Sequence, residues 1–423
     1  MENLWLLRGL SLLGLLTLLG GAWLCSENRR SVSPRLVAWG MGLQLLFGLL
    51  VLRTPFGAAF FEGVRTGFDL LTEASDAGAS FVFGNLTRFF LIEHVLTPGP
   101  EGLVQEGPFA ISAVLAFKVL PVIIFVTALA AVSQHLRITQ VVVGLMSRLM
   151  RRTMRTSGAE TVGVSLLVFL GVESLTALSD YVKAMTRSEI FTLMVAFLST
   201  IAASVMVTYA SFGASPGHLL AASLMSAPAA LVFAKLLVPE TGTPPTAGDV
   251  RAPLPVESHN VFDAAARGTS LGLNVALQVG ALLIVFVGAI HLLDQLTAGV
   301  TGHSLSWLLG WVFRPFAFLM GVPWRDIGPV SELLAVKSVF NEFLAYEELQ
   351  PLIAEGALRP RSITIATYAL CGFANPGSVG ILMGALAGVV PERRGEVAQL
   401  CMKALVAGTL ACFSTACIAG LLT

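Results

Sequence analysis

Three polar side chains lie close together in the otherwise apolar stretch KSVFNEFLAY, at Lys337, Asn341 and Glu342. An ionisable side chain in the hydrocarbon of a bilayer is costly, so it usually faces a water-filled cavity or pairs with a partner. Glu173, in the stretch GVES, stands in a similar setting earlier in the chain. Each carboxylate falls where a helix should break, which would place it beside free helix ends.

A simpler interpretation is that Glu173 and Glu342 only pair with Lys183 or Lys337 and hold the local structure. For Asp180, Glu332 and Glu347, such pairing or snorkelling toward the interface is the favoured interpretation.

The stretch FANPGS, residues 373–378, combines several groups that could recognise a ligand carrying a ring and hydroxyl groups. Phe373 supplies an aromatic face, Asn375 an amide that both donates and accepts, and Ser378 a hydroxyl. Pro376 would interrupt the helix at this point. The alternative is an ordinary proline kink in a transmembrane helix.

The composition places the chain in a membrane. Of 423 residues, 55% are hydrophobic and only 12% are charged, and the mean hydropathy is +0.80. Lys and Arg balance Asp and Glu, so no net charge indicates a nucleic-acid partner. The lipid bilayer is the main predicted partner.

Apolar runs long enough to cross as helices predict an all-α polytopic membrane protein with eight transmembrane helices. The runs are 4–25, 37–56, 109–134, 188–212, 216–238, 268–293, 363–390 and 400–423. The stretches 159–186 and 322–350 are apolar but interrupted, and predict two re-entrant hairpins. Each is followed by a broken span, 188–212 or 363–390, which indicates an inverted repeat around a midplane site.

The Arg-rich loop between the first two spans is predicted to be cytoplasmic, which places the amino terminus outside the inner membrane. The Arg-rich segment 137–155 is predicted to be an interfacial helix on the same side, whereas Arg359 and Arg361 fall on the opposite side. Pro239–Pro255, rich in Pro, Gly and Thr, is predicted to be a flexible cytoplasmic linker.

Two further classes of protein remain as alternatives. An intramembrane enzyme could use Glu173 and Glu342 as an acid/base pair, but the sequence offers no His, Cys or metal constellation near them. A non-transporting receptor would not need two repeated hairpins. No catalytic residue, metal site or cofactor is predicted.

The segment Ala335 to Tyr346, AVKSVFNEFLAY, closely resembles the signature of the concentrative nucleoside transporter family. That signature runs Gly or Ala, any residue, Lys, three residues, then Asn-Glu-Phe-Val-Ala and an aromatic or Met, and this chain departs from it only at Leu344. CGFANPGSVGIL and PERRGEVAQLCMKALVAGTL also resemble family stretches.

The resemblance implies a nucleoside importer driven by cation symport, assembled as a homotrimer, in which a transport domain moves like an elevator against a scaffold. The implied domains are 1–156, mainly scaffold with the first three spans and interfacial helices; 157–238, transport; 239–262, cytoplasmic linker; 263–321, scaffold with the sixth span and an interfacial helix; and 322–423, transport.

The resemblance also implies roles for individual residues. Glu342, Asn375 and Ser378 would bind the ribose hydroxyls, while Phe373 and Val205 would pack around the nucleoside. Glu173 and Ser174 would belong to the first hairpin's part of the substrate site.

The first hairpin departs from the family pattern Gly-Gln-Ser/Thr-Glu, because GVES has no glutamine and is one residue shorter. The substrate could therefore be a non-standard nucleoside or another ribose-like solute. Sodium-dependent relatives place an Asn ligand four residues before the hairpin glycine, where this chain has Leu167, which offers no oxygen to a hard cation.

The change at Leu167 favours a proton as the co-transported ion, carried by Glu342 or Glu173. Ser199 and Thr200 keep hydroxyls nearby, so sodium bound by backbone carbonyls and Thr200 is the alternative.

Overall fold

A computed structural model describes residues 3–87, 90–92, 95–99, 102–106, 109–111, 115–247 and 258–423, and it excludes the side chains of 88–115, Glu173, Thr176, Ala177, Asp180, Ala203 and Ser204. The α-helices are α1 (Leu4–Leu24), α2 (Pro34–Arg53), α3 (Pro55–Phe83), α4 (Leu115–Lys118), α5 (Leu120–His135), α6 (Ile138–Met154), α7 (Gly158–Leu170), α8 (Ser174–Ala177), α9 (Ser179–Ala184), α10 (Arg187–Ser199), α11 (Ala203–Ser211), α12 (Pro216–Leu237), α13 (Val261–Thr301), α14 (Leu305–Leu319), α15 (Ile327–Val339), α16 (Glu342–Ala354), α17 (Pro360–Leu370), α18 (Pro376–Val389) and α19 (Arg394–Leu422). Short 3₁₀ turns cover Arg29–Ser31, Gly84–Thr87, Gly171–Glu173, Trp324–Asp326 and Pro391–Arg393.

The predicted helical membrane architecture is confirmed. Within the described ranges, six helices or helix pairs are long and apolar enough to cross a membrane. The two interrupted helices, α10–α11 and α17–α18, add two crossings and give the predicted eight. The sixth crossing, α13, has 41 residues and extends well beyond the predicted 268–293. It begins after Asn260, whose side chain accepts a hydrogen bond from the Asp263 N–H, and this cap stabilises a helix start before the predicted apolar run.

Two short antiparallel strand pairs precede the third crossing. β1 (Phe90–Ile92) pairs with β4 (Phe109–Ile111), and β2 (Val95–Gly99) pairs with β3 (Gly102–Glu106). The predicted start of the third span at residue 109 is therefore wrong, because α4 begins at Leu115 and 109–111 is a strand. The Pro- and Gly-containing sequence TPGPEG between two short apolar runs is typical of a hairpin connection.

The hairpin followed by a broken helix occurs twice, as predicted. In the first half, α7 leads through α8 and α9 to α10–α11; in the second half, α15 and α16 lead to α17–α18. Helices α7 and α15 both have 13 residues. Gly171 ends α7 with φ of 70°, a left-handed conformation that favours glycine.

The helices form two packed groups. Helices α10, α12, α17 and α19 contact one another, and α1 packs along α19 while α2 packs along α12. The other group is built around α5 and α13, which lie together over much of their length. Gly268 and Gly272 of α13 allow this close approach, since an added Cβ on either would lie 2.7 Å from a backbone Cα of α5.

Replacing Gly272 with Ala is expected to lower the thermal unfolding midpoint of the purified protein, because the new methyl group must push α13 away from Ile124. Overpacking of this kind typically costs about 1–3 kcal/mol. The matched control is Gly288→Ala on the same helix, where an added Cβ meets nothing within 4 Å. Equal midpoints for the two variants would contradict the close α5–α13 contact.

Candidate functional site

Both halves of the chain contain a hairpin tip and a helix interruption. In the second half, the helix that follows each of these breaks begins with an asparagine cap. Asn341 precedes α16 and its Oδ1 accepts from the Leu344 N–H at 2.9 Å. Asn375 precedes α18 and its Oδ1 accepts from the Ser378 N–H, also at 2.9 Å. An asparagine cap satisfies one of the free N–H groups at a helix start, which explains why the chain restarts its helices here. The Asn375 cap leaves its Nδ2 amide free to point elsewhere.

Glu342 is the first residue of α16, and its carboxylate joins the two halves of the protein. Tyr209 of α11 donates its hydroxyl to Oε1 at 2.7 Å. Asn375 donates Nδ2 to Oε2, also at 2.7 Å. Glu342 is only 6% exposed, and its two hydrogen-bonding partners are still more deeply buried. The structure thus brings together Glu342 and Asn375, which the sequence singled out from different stretches.

Tyr209 was not identified from the sequence. Its ring stacks on Tyr346 with centroids 4.5 Å apart and meets Phe343 edge-on at 6.0 Å. Tyr346 in turn donates its hydroxyl to the Thr367 carbonyl oxygen at 2.8 Å. Because the MVTYAS stretch reads as part of an ordinary apolar span, only the position of Tyr209 in the second piece of a broken helix could have indicated a site residue.

The predicted apolar neighbours of the ligand lie on the interrupted helices. Phe373, in the α17–α18 break, keeps part of its surface exposed and contacts Phe197 with ring centroids 5.6 Å apart. Val205 of α11 is likewise half-buried. Ser378, in the first turn of α18, is 7% exposed. Phe373 and Ser378 therefore lie at the break that also holds Asn375, and Val205 lies just after the break between α10 and α11.

The first hairpin is described only in part. The side chain of Glu173 lies outside the described part of the structure, so its role stays a prediction. Ser174 is buried, and its hydroxyl donates to the Gly171 carbonyl oxygen at 2.7 Å, within the hairpin tip. Leu167 is 1% exposed and lies in the last turn of α7.

Ser199 and Thr200 lie where α10 ends, as expected of the candidate ion-binding hydroxyls. Both donate to the same acceptor, the Ala196 carbonyl oxygen, at 3.4 and 2.8 Å. Their hydroxyl protons are thus occupied by their own helix, while their oxygen lone pairs remain able to accept.

Lys337, one of the two lysines that the simpler interpretation of the sequence offered as a partner, does not form an ion pair with Glu342. Its Nζ donates to the Ala369 carbonyl oxygen at 2.9 Å instead. The Glu342 carboxylate is held by neutral donors, Tyr209 and Asn375. Its place between the two halves is therefore not explained by pairing with this lysine.

Sequence comparisons match three family profiles along the chain. Residues 13–86 match "Na+ dependent nucleoside transporter N-terminus", residues 116–216 match "Nucleoside recognition", and residues 218–420 match "Na+ dependent nucleoside transporter C-terminus".

Full-length relatives are found among bacteria. The chain is 38% identical to the uncharacterized transporter YutK of Bacillus subtilis, over 97% of this chain and 98% of that protein. It is 34% identical to the nucleoside permease NupC of Helicobacter pylori, over 97% of each. The sodium/nucleoside cotransporter 1 of Rattus norvegicus is also 34% identical, over 94% of this chain but 61% of the longer rat protein.

The chain is also similar to solved structures of a transporter. The chain superposes on the transporter CNTnw in an inward-facing substrate-bound state with a TM-score of 0.88 and 36% identity, over 98% of each chain. A substituted CNTnw in an outward-facing state also gives 0.88, with 34% identity and 98% coverage of each chain. These relatives are transporters and not enzymes, which excludes the intramembrane-enzyme alternative. The chain therefore belongs to the concentrative nucleoside transporter family.

Proposed function

We propose that this cation-coupled nucleoside transporter imports its substrate across the inner membrane, binding the ribose at Glu342 and using a proton as the coupling ion. The observation that carries the proposal is the buried Glu342 carboxylate, held between Tyr209 and Asn375 where the two halves of the protein meet. A carboxylate that is aligned by neutral donors is arranged to accept further hydrogen bonds.

The Glu342 carboxylate has hydrogen-bonding sites left for a ribose. An ionised carboxylate offers about four lone-pair sites, and Tyr209 and Asn375 use one on each oxygen. The remaining sites can accept from the two neighbouring hydroxyls of a ribose, and hydrogen bonds to a charged group are the stronger kind. Asn375 and Ser378 would complete the sugar site, with Phe373 and Val205 packed around the nucleoside.

Base recognition is proposed to fall to the first hairpin, through Glu173 and Ser174. The glutamine that relatives carry there is missing, so an amide that both donates and accepts is lost. A site built around different donors selects different ligands. A non-standard nucleoside or another ribose-like solute is therefore the alternative substrate.

Replacing Glu342 with Gln is expected to weaken nucleoside binding by roughly 100-fold, because two charge-assisted hydrogen bonds to the ribose are lost. Isothermal titration of the detergent-solubilised protein across a panel of nucleosides, nucleobases and sugars measures this change. The control is Glu347→Gln on the same helix, at an exposed position. Unchanged affinity in the Glu342 variant would refute the ribose assignment.

Proton coupling is supported by the residues near the end of α10. Leu167 has no oxygen ligand and is buried among apolar side chains. A hard cation needs several oxygen ligands, whereas a proton needs a single carboxylate, which Glu342 or Glu173 provides. Sodium held by backbone carbonyls and the Thr200 hydroxyl is the alternative.

In liposomes, an inward proton gradient without sodium is expected to drive nucleoside uptake, whereas a sodium gradient at constant pH is not. The variant Leu167→Asn restores an oxygen ligand beside α10 and is expected to make uptake respond to sodium. Leu167→Met, which keeps the volume without adding a hard ligand, is its control. Sodium-driven uptake by the unmodified protein, with no response to protons, would contradict the proton assignment.

An elevator-like displacement is proposed for alternating access. The solved relative CNTnw is described in inward-facing, intermediate and outward-facing states. In this chain, α5 and α13 lie together, whereas α10, α17 and α18 pack on α19, and α11 lies against both α5 and α12. Because α1 and α2 pack on α19 and α12, we assign both to the moving domain, which departs from the expectation that residues 1–156 are mainly scaffold.

We propose that the protein is a homotrimer whose copies contact one another through the apolar surface of the scaffold. α13 exposes large side chains over much of its length, including Leu277, Ile284, Val285 and Val300. Such a surface can be covered by lipid and by neighbouring copies, and rotational symmetry buries it efficiently.

Light scattering in mild detergent is expected to give three times the protomer mass. Ile284→Arg is expected to reduce that mass, because it places a charge on the exposed face, whereas Met402→Arg on α19 is expected to leave it unchanged. A parent protein that elutes as a monomer would contradict the assembly.

The amino terminus is proposed to lie outside. Arg35 contacts the Thr153 carbonyl oxygen, and Glu27 pairs with both Arg187 and Lys403. These contacts place basic residues of α2, α10 and α19 at one end of the molecule, and the positive-inside rule assigns that end to the cytoplasm.

A further inference from the structure

Lys337 is one of the most deeply buried large side chains in the described part of the protein, with 0% exposure. An ammonium group in this position loses its hydration and must find compensating contacts. Lys337 lies in α15, the first helix of the second hairpin, close to the proposed substrate site. It does not form an ion pair with Glu342.

The contacts of Lys337 are made at the end of a helix. Its Nζ donates to the carbonyl oxygen of Ala369 at 2.9 Å, and it lies 6.0 Å from the ring centroid of Phe413, the residue that follows Cys412. Ala369 is the penultimate residue of α17. Because the helix ends at Cys371, its last carbonyl groups have no N–H partner in a following turn. The ammonium therefore caps the carboxyl end of the first half of the broken helix.

A second helix end converges on the same place. The Cys412 thiol lies 3.7 Å from the Ser199 carbonyl oxygen, at the last residue of α10, and 3.6 Å from that of Cys371. Gly372 makes the approach close: an added Cβ there would lie 2.5 Å from the Cys412 sulfur and 3.0 Å from the Ser199 carbonyl. Each helix carboxyl end carries roughly half a negative charge. The end of α10 and the break that follows α17 thus meet at Cys412, next to the helix end that Lys337 caps.

The first hairpin has no equivalent charge. α7 and α15 have the same length, and Val168 lies two residues before the end of α7, as Lys337 does before the end of α15. The last two turns of α7 read VSLLVFL and contain no ionisable residue. At this corresponding position, therefore, α15 carries a cation and α7 does not.

We propose that Lys337 is a built-in counter-cation, whose ammonium group occupies the place that a small monovalent ion would otherwise fill at the converging ends of α10 and α17. In transporters, unwound carbonyl groups and half-helix carboxyl ends are typical ligands for such ions. By fixing the end of α17, Lys337 also fixes the start of α18, so that Asn375 faces Glu342. Lys337 is thus a positioning residue, and truncating it creates a cation site.

The test compares the parent protein with Lys337→Ala and Lys337→Met. Thermal unfolding without substrate is followed in ammonium, methylammonium or sodium chloride, with N-methylglucamine chloride keeping the ionic strength constant. Binding of a cation to the folded state alone raises the midpoint in a saturable way. The Ala variant is expected to show this rise, whereas the parent, whose site is occupied, and the Met variant, whose side chain fills the space, are not.

Nucleoside affinity provides the second readout. In N-methylglucamine, the Ala variant is expected to bind about tenfold more weakly than the parent, the size expected for loss of a charged hydrogen bond, and added ammonium is expected to restore binding. A purely structural lysine would not produce rescue by a dissolved cation. An unchanged affinity of both variants in N-methylglucamine would overturn the positioning role.

The same rise of the unfolding midpoint with added cation in all three proteins would overturn the proposal that Lys337 is a counter-cation. Should Lys337→Ala yield no folded protein in N-methylglucamine, the yield of monodisperse protein becomes the readout. Recovery in ammonium or methylammonium would support the proposal, and failure in every salt would overturn it. Because unfolding is measured without nucleoside, this result is independent of the proposed substrate.

Discussion

The two hydrogen bonds from Tyr209 and Asn375 to the Glu342 carboxylate are the interaction on which the rest of the structure depends. A carboxylate is tolerated at membrane depth only where other groups satisfy it. Supplying those groups requires a broken helix from each half of the chain, and breaking a helix frees backbone groups that cannot be left in lipid. The asparagine caps, the tyrosine hydroxyl on Thr367 and the lysine on Ala369 satisfy the groups that these breaks release.

The same arrangement links packing to function. The residues of the proposed substrate site also join the second hairpin to α11 and α18, so a ligand bound at Glu342 would act on elements of both halves. Helices α5 and α13 lie against each other through glycines, and α10, α12, α17 and α19 form a densely buried bundle. A bundle that carries the proposed site and lies against the α5–α13 pair is the arrangement that the proposed elevator-like mechanism needs.

Much of this could be predicted from the sequence. Length and apolarity gave the crossings, and Gly, Pro and charge within apolar stretches indicated the hairpins and breaks. The resemblance around Asn341 and Glu342 selected residues that do lie together. The strands near residue 109 were missed because a short apolar run cannot be assigned by periodicity alone. The length of α13 was underestimated because Asp263, Arg267 and Asp294 interrupt its apolar sequence near both ends.

Tyr209 and the contacts of Lys337 could not be predicted for a different reason. Both depend on how the two halves pack, and a tyrosine in an apolar span or a lysine near a hairpin tip has several physically reasonable partners. Pairing Lys337 with Glu342 was the simplest expectation from opposite charge. The fold gives the lysine a helix end instead and leaves Glu342 with neutral donors.

The central claim is that Glu342 and Asn375 bind ribose hydroxyls. The most direct measurement compares the affinity of the unmodified protein for its best nucleoside with that for the 2′,3′-dideoxy analogue, which keeps the base and lacks both hydroxyls. Removing both ribose hydroxyls, which would donate hydrogen bonds to the Glu342 carboxylate, is predicted to weaken binding by roughly 100-fold. Equal affinities would show that the sugar hydroxyls are not held at Glu342 and would contradict the account.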